Sequence, residues 1–202
     1  VILNVVSPHT AGSVSAPAFK LPDDYVMYAG HVSYRKGADV LAQAMRSIMI
    51  KRPNLHLVYA GGIFTEKGRL VSDDILRLLG PELKERVHFL GRIPRGETLY
   101  CMTKAKVFAF PSRLESFGLV VVEAMSCGVP VVFTKHGPGP EIVEDAVTGL
   151  LAYPSSPDDI QEKVERILDD DFLAKRLVTA AYEAIETKFS AEECAVKSEK
   201  FY

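Results

Sequence analysis

Cysteine and tryptophan are scarce in this sequence. Its 202 residues include no tryptophan and three cysteines, Cys101, Cys127 and Cys194. An odd number of widely spaced cysteines does not form a disulfide framework, and the spacing does not match a zinc site. We therefore expect a protein of a reducing compartment, the cytoplasm.

The sequence also lacks a large excess of charge of one sign and lacks long apolar runs. Its 24 lysines and arginines nearly balance 26 aspartates and glutamates, for a formal net charge of −2 at pH 7. Proteins that bind nucleic acid usually carry a basic patch, and none stands out here. No apolar run approaches the length of a transmembrane helix. These absences argue against nucleic acid as a partner and against a membrane-spanning segment.

Short apolar runs alternate with helical patterns along most of the chain. Strands are predicted at residues 26–29, 55–60, 87–90, 107–110, 129–133 and 148–151. Helices are predicted at residues 38–52, 67–79, 96–105, between Gly118 and Gly128, and at 141–146, 157–169, 171–188 and 191–201. This alternation predicts an α/β fold with a doubly wound, Rossmann-like parallel sheet. Such sheets bind ligands beyond the carboxyl ends of their strands.

The stretch 110–130, FPSRLESFGLVVVEAMSCGVP, places two carboxylates on either side of an apolar run. Glu123 has apolar neighbours on both sides, and a glutamate among such residues requires compensation for its charge. Three consecutive valines fit a strand, whereas Gly118 and Gly128 bracket a short helix. We favour the helix, because a parallel sheet needs a crossover between the flanking strands. Glu115 in the preceding loop and Glu123 in the helix can then both face the ligand crevice.

Lys36 stands directly before the helix predicted at residues 38–52. A cation at a helix N-terminus is unfavourable, because the helix dipole there favours anions. The position makes sense if a phosphate group binds beside Lys36. A solvated lysine fits the spacing equally well, so both interpretations stay open at this point.

Together these motifs resemble the signature of the retaining glycosyltransferases of family four, which have the GT-B fold. The similar elements are Glu115 and Glu123 with seven residues between them, and the segments FGL at 117–119, EAM at 123–125 and GVPVV at 128–132. Their common order makes the match specific, whereas two glutamates alone would be weak evidence. The resemblance covers nearly everything from Val26 onward.

The resemblance implies a site for a nucleoside-diphosphate sugar. Lys36 and Glu115 are the implied catalytic residues, with Lys36 on the diphosphate and Glu115 on sugar hydroxyls. Glu123 is the implied ribose ligand, since two carboxylate oxygens suit a vicinal diol. The other implied donor-binding residues are Gly30, His31, Arg92, Ile93, Ser116, Phe117, Gly118, Leu119 and Val120. No metal and no cofactor are implied.

The sequence departs from the family pattern at two places. His31 stands where family members have an arginine, and Gly137-Pro138 stands where they usually have two glycines. Proline removes both the flexibility and the N–H of the second glycine. These departures leave open a nucleotide-binding module without turnover. Another GT-B enzyme, such as an epimerase or a phosphorylase, is a further alternative.

We interpret residues 1–25 as an inter-domain lead-in and residues 26–188 as the nucleotide-sugar-binding domain. Residues 189–202 are interpreted as a C-terminal helix that packs toward an N-terminal, acceptor-binding domain outside this sequence. The implied activity is sugar transfer with retention of configuration, which we do not expect from this part alone. Peripheral membrane contact through the other domain is a further expectation. The nucleobase, the sugar, the acceptor and the oligomeric state are not determined by the sequence.

Overall fold

The computed structural model of the protein describes residues 14–66 and 68–188. Two expectations lie outside these ranges: the helix at residues 191–201, and the beginning of the lead-in segment. Within the described ranges, no helix has the length and apolar character needed to cross a membrane.

The described chain contains one large parallel sheet and one short hairpin. The strands are β1 (Asp24–Ala29), β2 (Leu55–Ala60), β3 (Thr65–Glu66), β4 (Arg69–Leu70), β5 (Val87–Gly91), β6 (Val107–Phe110), β7 (Val131–Thr134) and β8 (Leu150–Ala152). Six of them form the sheet, in the order β5-β2-β1-β6-β7-β8, with every neighbouring pair parallel. The antiparallel pair β3 and β4 forms the hairpin.

Helices cover both faces of the sheet. They are α1 (Ala38–Lys51), α2 (Val71–Leu79), α3 (Arg95–Lys104), α4 (Leu119–Ser126), α5 (Gly139–Ile142), α6 (Pro157–Asp169) and α7 (Asp171–Lys188), with a 3-10 helix at Pro81–Arg86. Helix α1 packs against α2 and α6, and α4 packs against α3 and α7. Because both faces are covered, the strands β1, β2, β6 and β7 are buried except at Asp24 and His56, which explains their apolar runs. The predicted doubly wound, Rossmann-like sheet is confirmed.

The strand order places the crevice of the sheet between β1 and β6. From β1 the chain proceeds through β2 to the edge strand β5, and then returns to β6 on the other side of β1. Such a reversal of strand order marks the place where doubly wound sheets bind ligands. Gly30 follows β1 and Pro111 follows β6, so the loops that they begin border this crevice.

Two helix predictions are wrong in part. The helix predicted at residues 67–79 begins only at Val71, because β3 and β4 pair through Thr65 and Leu70. Gly68, with φ 74°, provides the turn of that hairpin. The helix predicted at residues 141–146 ends at Ile142, because the chain is already extended at Val143. The helix preferred over a strand between Gly118 and Gly128 is confirmed as α4.

Candidate functional site

A cleft of about 580 Å³ opens at the carboxyl ends of β1, β2, β5 and β6. Its volume lies within the range of small-molecule sites. The predicted site residues that line it are Gly30, His31, Lys36, Arg92, Ile93, Glu115, Phe117, Gly118, Leu119 and Val120. Ser116 and Glu123 are not among the lining residues. Thr98 of α3 lines the cleft as well, although the sequence did not indicate it.

A larger cavity, of about 820 Å³, lies at the opposite, amino-terminal edge of the sheet, beside Asp24 and Pro130. Its basic residues Lys51 and Arg52 form ion pairs with acidic residues of α6. Size alone does not identify a ligand site. The carboxyl-terminal edge combines a charged pair with a helix N-terminus, and we therefore assign the candidate site to the smaller cleft.

Lys36 and Glu115 form an ion pair in the cleft. Lys36 Nζ lies 2.9 Å from Oε2 of Glu115, and the two side chains are 17% and 11% exposed. The same ammonium donates to the carbonyl oxygen of Leu114 at 3.1 Å. An ammonium has three protons to donate, so these contacts leave capacity for a ligand.

Gly37 allows the chain to turn from Lys36 directly into α1. It has φ 73°, and a Cβ atom at this position would lie 2.0 Å from the carbonyl oxygen of Pro111. Only glycine accepts both the left-handed conformation and such a close backbone approach. The loop after β1 and the loop after β6 therefore touch, which places Lys36 opposite Glu115.

The carboxylate of Glu115 is held by several donors. Its Oε1 accepts hydrogen bonds from the amide of Ser116 at 2.8 Å and from the amide of Phe117 at 3.3 Å. Burial by itself raises the pKa of Glu115, but the hydrogen bonds from the Lys36 ammonium and the Ser116 amide outweigh it and hold the pKa below the ordinary 4.5. Glu115 is therefore an oriented anion at neutral pH, suited to accept hydrogen bonds from hydroxyl groups. It is not suited to act as a general acid.

The N-terminus of α4 borders the cleft. Gly118 is the N-cap, with φ 68° and no hydrogen bond from a capping side chain. Leu119 and Val120, the first helical residues, line the cleft. The first amides of a helix have no acceptor within the helix, and together with the helix dipole they favour an anionic ligand.

Glu123 lies one turn further along α4. Residues three and four positions apart share a helix face, so Glu123 is on the face that carries Leu119 and Val120. Its Oε1 accepts a hydrogen bond from Nε of Arg95 at 2.8 Å, and the glutamate side chain is 22% exposed. The charge that looked uncompensated in the sequence is therefore balanced by Arg95 of α3, a residue that the motifs did not indicate.

Arg92 and Ile93 follow β5 at the far side of the cleft. The Arg92 side chain lies over Gly62, where a Cβ atom would be 3.0 Å from Nε of Arg92. Gly61 has φ 140°, and a Cβ there would lie 1.9 Å from the carbonyl oxygen of Gly30. These glycines let the backbones after β1 and β2 approach each other and keep the cleft open beside Arg92.

His31 is exposed, and its ring centre lies 4.7 Å from that of Phe64. The hydroxyl of Tyr28 donates to the carbonyl oxygen of His31 at 2.6 Å, which fixes the backbone there.

The loop that contains Gly137 and Pro138 lies beside Glu115: a Cβ atom at Gly137 would lie 3.3 Å from the carbonyl oxygen of Glu115. The loop with the Gly137-Pro138 departure therefore packs against the backbone of Glu115.

Comparisons with known proteins identify the family of this chain. The family model described as glycosyl transferases group 1 matches residues 15–184. An uncharacterised glycosyltransferase of Methanocaldococcus jannaschii is 34% identical over 88% of this chain and 44% of its own length. A GDP-mannose-dependent monoacylated alpha-(1-6)-phosphatidylinositol monomannoside mannosyltransferase of Corynebacterium glutamicum is 33% identical over 78% of this chain and 41% of its own.

A solved structure shows the same architecture. The crystal structure of the Anabaena protein HepE in complex with UDP-glucose matches with a TM-score of 0.75 and 26% identity, over 87% of this chain and 48% of that one. The chain thus spans less than half the length of these proteins. The GT-B architecture expected from the motifs is confirmed. With the family model matched over most of its length, the chain belongs to the group 1 glycosyl transferases.

Proposed function

We propose that the cleft binds a nucleoside-diphosphate sugar, and that this chain supplies the donor site of a retaining glycosyltransferase. The observation that carries the proposal is the shielded Lys36–Glu115 pair beside the uncapped N-terminus of α4. A cation and free amides suit a diphosphate, and an oriented carboxylate suits the hydroxyl groups of a sugar.

The diphosphate and the sugar of the donor would each have a matching group in the cleft. The diphosphate would contact the Lys36 ammonium and the amides of Leu119 and Val120. The sugar would donate hydroxyl hydrogens to Glu115, beside the amides of Phe117 and Gly118. Two relatives support a donor of this class: the Anabaena structure contains UDP-glucose, and the Corynebacterium enzyme is named as GDP-mannose-dependent.

The ribose would bind toward Glu123, and the base toward the backbone of Arg92 and Ile93. Oε1 of Glu123 is taken by Arg95, and Oε2 remains available for a ribose hydroxyl. A carboxylate oxygen has two lone pairs, so Oε1 can accept a second hydrogen bond beside Arg95. His31 and Gly30 would lie beside the diphosphate, and Ser116 would act through its amide on Glu115.

In the proposed reaction, the bond between the anomeric carbon and the diphosphate oxygen breaks, and that oxygen keeps the electron pair. The anomeric carbon then bonds to the acceptor oxygen, whose proton is released. Negative charge grows on the leaving diphosphate, and Lys36 would stabilise it more in the transition state than in the ground state. We further propose that a separate acceptor-binding domain supplies the acceptor.

Calorimetric titration tests the proposal. UDP, GDP and ADP are titrated into this chain, followed by UDP-glucose and GDP-mannose. We expect one nucleoside diphosphate to bind, and Lys36→Met to weaken it at least tenfold, since a charge-assisted contact contributes about 1.5–3 kcal/mol. Lys51→Met is the matched control, because Lys51 also pairs with a glutamate but lies at the other end of α1. If none of the ligands binds to the wild type, the proposed function is wrong.

A further inference from the structure

We propose that Arg113 is a positioning residue for the donor site: together with Asp39 it holds the loop that carries Lys36 against the loop that carries Glu115. The Lys36 loop is residues 33–37, and the Glu115 loop is residues 111–118. The inference rests on the function proposed above for Lys36. It adds two residues that do not line the cleft themselves.

The guanidinium of Arg113 bridges the two loops. Its Nη1 donates to Oδ1 of Asp39 at 2.7 Å, and its Nη2 donates to Oδ2 at 3.0 Å. Nη1 also donates to the carbonyl oxygen of Tyr34. Arg113 therefore holds the chain on both sides of Lys36, at Tyr34 before it and at Asp39 after it.

The backbone of the Glu115 loop continues the same contact. The amides of Arg113 and Leu114 both donate to the carbonyl oxygen of Arg35, at 3.0 and 3.2 Å. The carbonyl oxygen of Leu114 in turn accepts from Lys36 Nζ. Each residue from Tyr34 to Lys36 thus contacts the Glu115 loop, and the Lys36 ammonium has little freedom to move.

Burial and geometry make this ion pair different from a surface pair. Asp39 is 12% exposed and Arg113 is 32% exposed. Asp39 lies in the first turn of α1, where the helix dipole favours an acid and the helix fixes its backbone. The planar guanidinium matches both carboxylate oxygens, which an ammonium group cannot do. The two parallel hydrogen bonds therefore fix the orientation of the Arg113 guanidinium relative to Asp39.

The hydrogen-bond distances of Arg113 would be the same if it stabilised the fold without positioning Lys36. The two roles predict different effects of removing Arg113 on nucleotide affinity when Lys36 is also removed. If Arg113 positions Lys36 for a diphosphate, its removal weakens binding only while Lys36 is present. If Arg113 acts only on the stability of the fold, the two effects on affinity are independent, because effects at uncoupled sites add.

The test is a double-mutant cycle on nucleotide affinity at a temperature where every variant is folded. The variants are Arg113→Gln, Lys36→Met and the double variant, and the ligand is UDP or GDP, whichever binds the wild type more tightly. We expect Arg113→Gln to weaken binding about tenfold, because small misplacements of a binding group are costly. In the Lys36→Met background, the same change should weaken binding by less than about twofold.

Arg46→Gln is the matched control. Like Arg113, the Arg46 side chain donates to one carbonyl oxygen, that of Leu79, and to one carboxylate, that of Glu82. Arg46 lies in α1 and does not line the cleft. We expect it to leave nucleotide affinity within about twofold of the wild type, as for an exposed pair. Should Arg113→Gln fail to fold, Arg113→Lys and Asp39→Asn repeat the measurement. Both keep a polar group at the position, and we expect each to weaken binding several-fold.

Three results would overturn the inference. Equal affinity of the wild type and Arg113→Gln would show that Arg113 does not position Lys36. Additive losses in the cycle, or an equal loss in Arg46→Gln, would show a general effect on the fold. All three require that the wild type binds a nucleotide, whereas absence of wild-type binding would contradict the proposed function itself.

Discussion

The two glutamates of the site have different surroundings. Glu115 pairs with a lysine in a shielded place, and backbone amides hold its other oxygen. Glu123 pairs with Arg95, whose side chain is 55% exposed, through one hydrogen bond. The first carboxylate is fixed by two touching loops, and the second depends on one long side chain. We therefore expect the Glu115 carboxylate to keep its orientation when a ligand binds, and the Glu123 carboxylate to change its hydrogen-bond partner more readily.

The largest expected effect is on binding affinity, and it differs between the two glutamates according to whether the ligand carries a sugar. Glu123→Gln should weaken a nucleoside diphosphate and its sugar conjugate alike, by about 1.5–3 kcal/mol, because the amide accepts the ribose hydrogens less well. Glu115→Gln should weaken only the sugar conjugate, since its proposed contacts are to the sugar. Calorimetry with UDP and UDP-glucose, or GDP and GDP-mannose, measures both. If Glu115→Gln weakened both ligands equally, the proposed contact between Glu115 and the sugar would be wrong.

A smaller effect is expected on stability in acid. The pKa of Glu115 is held below 4.5 in the folded protein, so its ionised form stabilises the fold above that pH. This contribution is lost as the pH falls through 4.5 and further to the folded-state pKa. Urea unfolding between about pH 5 and 3 should therefore show a steeper loss of stability for the wild type than for Glu115→Gln. Parallel curves would show that the Lys36 and Ser116 contacts do not stabilise the carboxylate.

The smallest effect is expected for Arg95→Gln. An exposed ion pair contributes about 0–1 kcal/mol, so the melting temperature should change little. Loss of Arg95 frees one oxygen of Glu123 for the ribose, and nucleotide affinity should stay within about threefold of the wild type. Titration of Arg95→Gln beside Glu123→Gln measures this. A loss as large as that of Glu123→Gln would mean that Arg95 itself contacts the nucleotide.

Local sequence patterns predicted the sheet well, because strands buried on both faces appear as unbroken apolar runs. They failed at residues 65–70, where a short polar segment with a glycine gives little signal for a hairpin and joins the pattern of the next helix. They also missed Arg95 and Arg113, whose partners lie 28 and 74 positions away in the chain. Contacts at such separations follow from the packing of elements and have no local signature. The roles of the lining residues stay predictions.

The reversal of the chain between β5 and β6 also bears on folding. Lys36 lies in the loop between β1 and α1, early in the chain. Glu115 lies 79 positions later, after β6. Any partly folded form that contains only β1, β2 and β5 has the lysine without the carboxylate and without α4. A ligand that needs both would bind only a form that also contains β6 and α4. By mass action it would stabilise that form relative to one that lacks them.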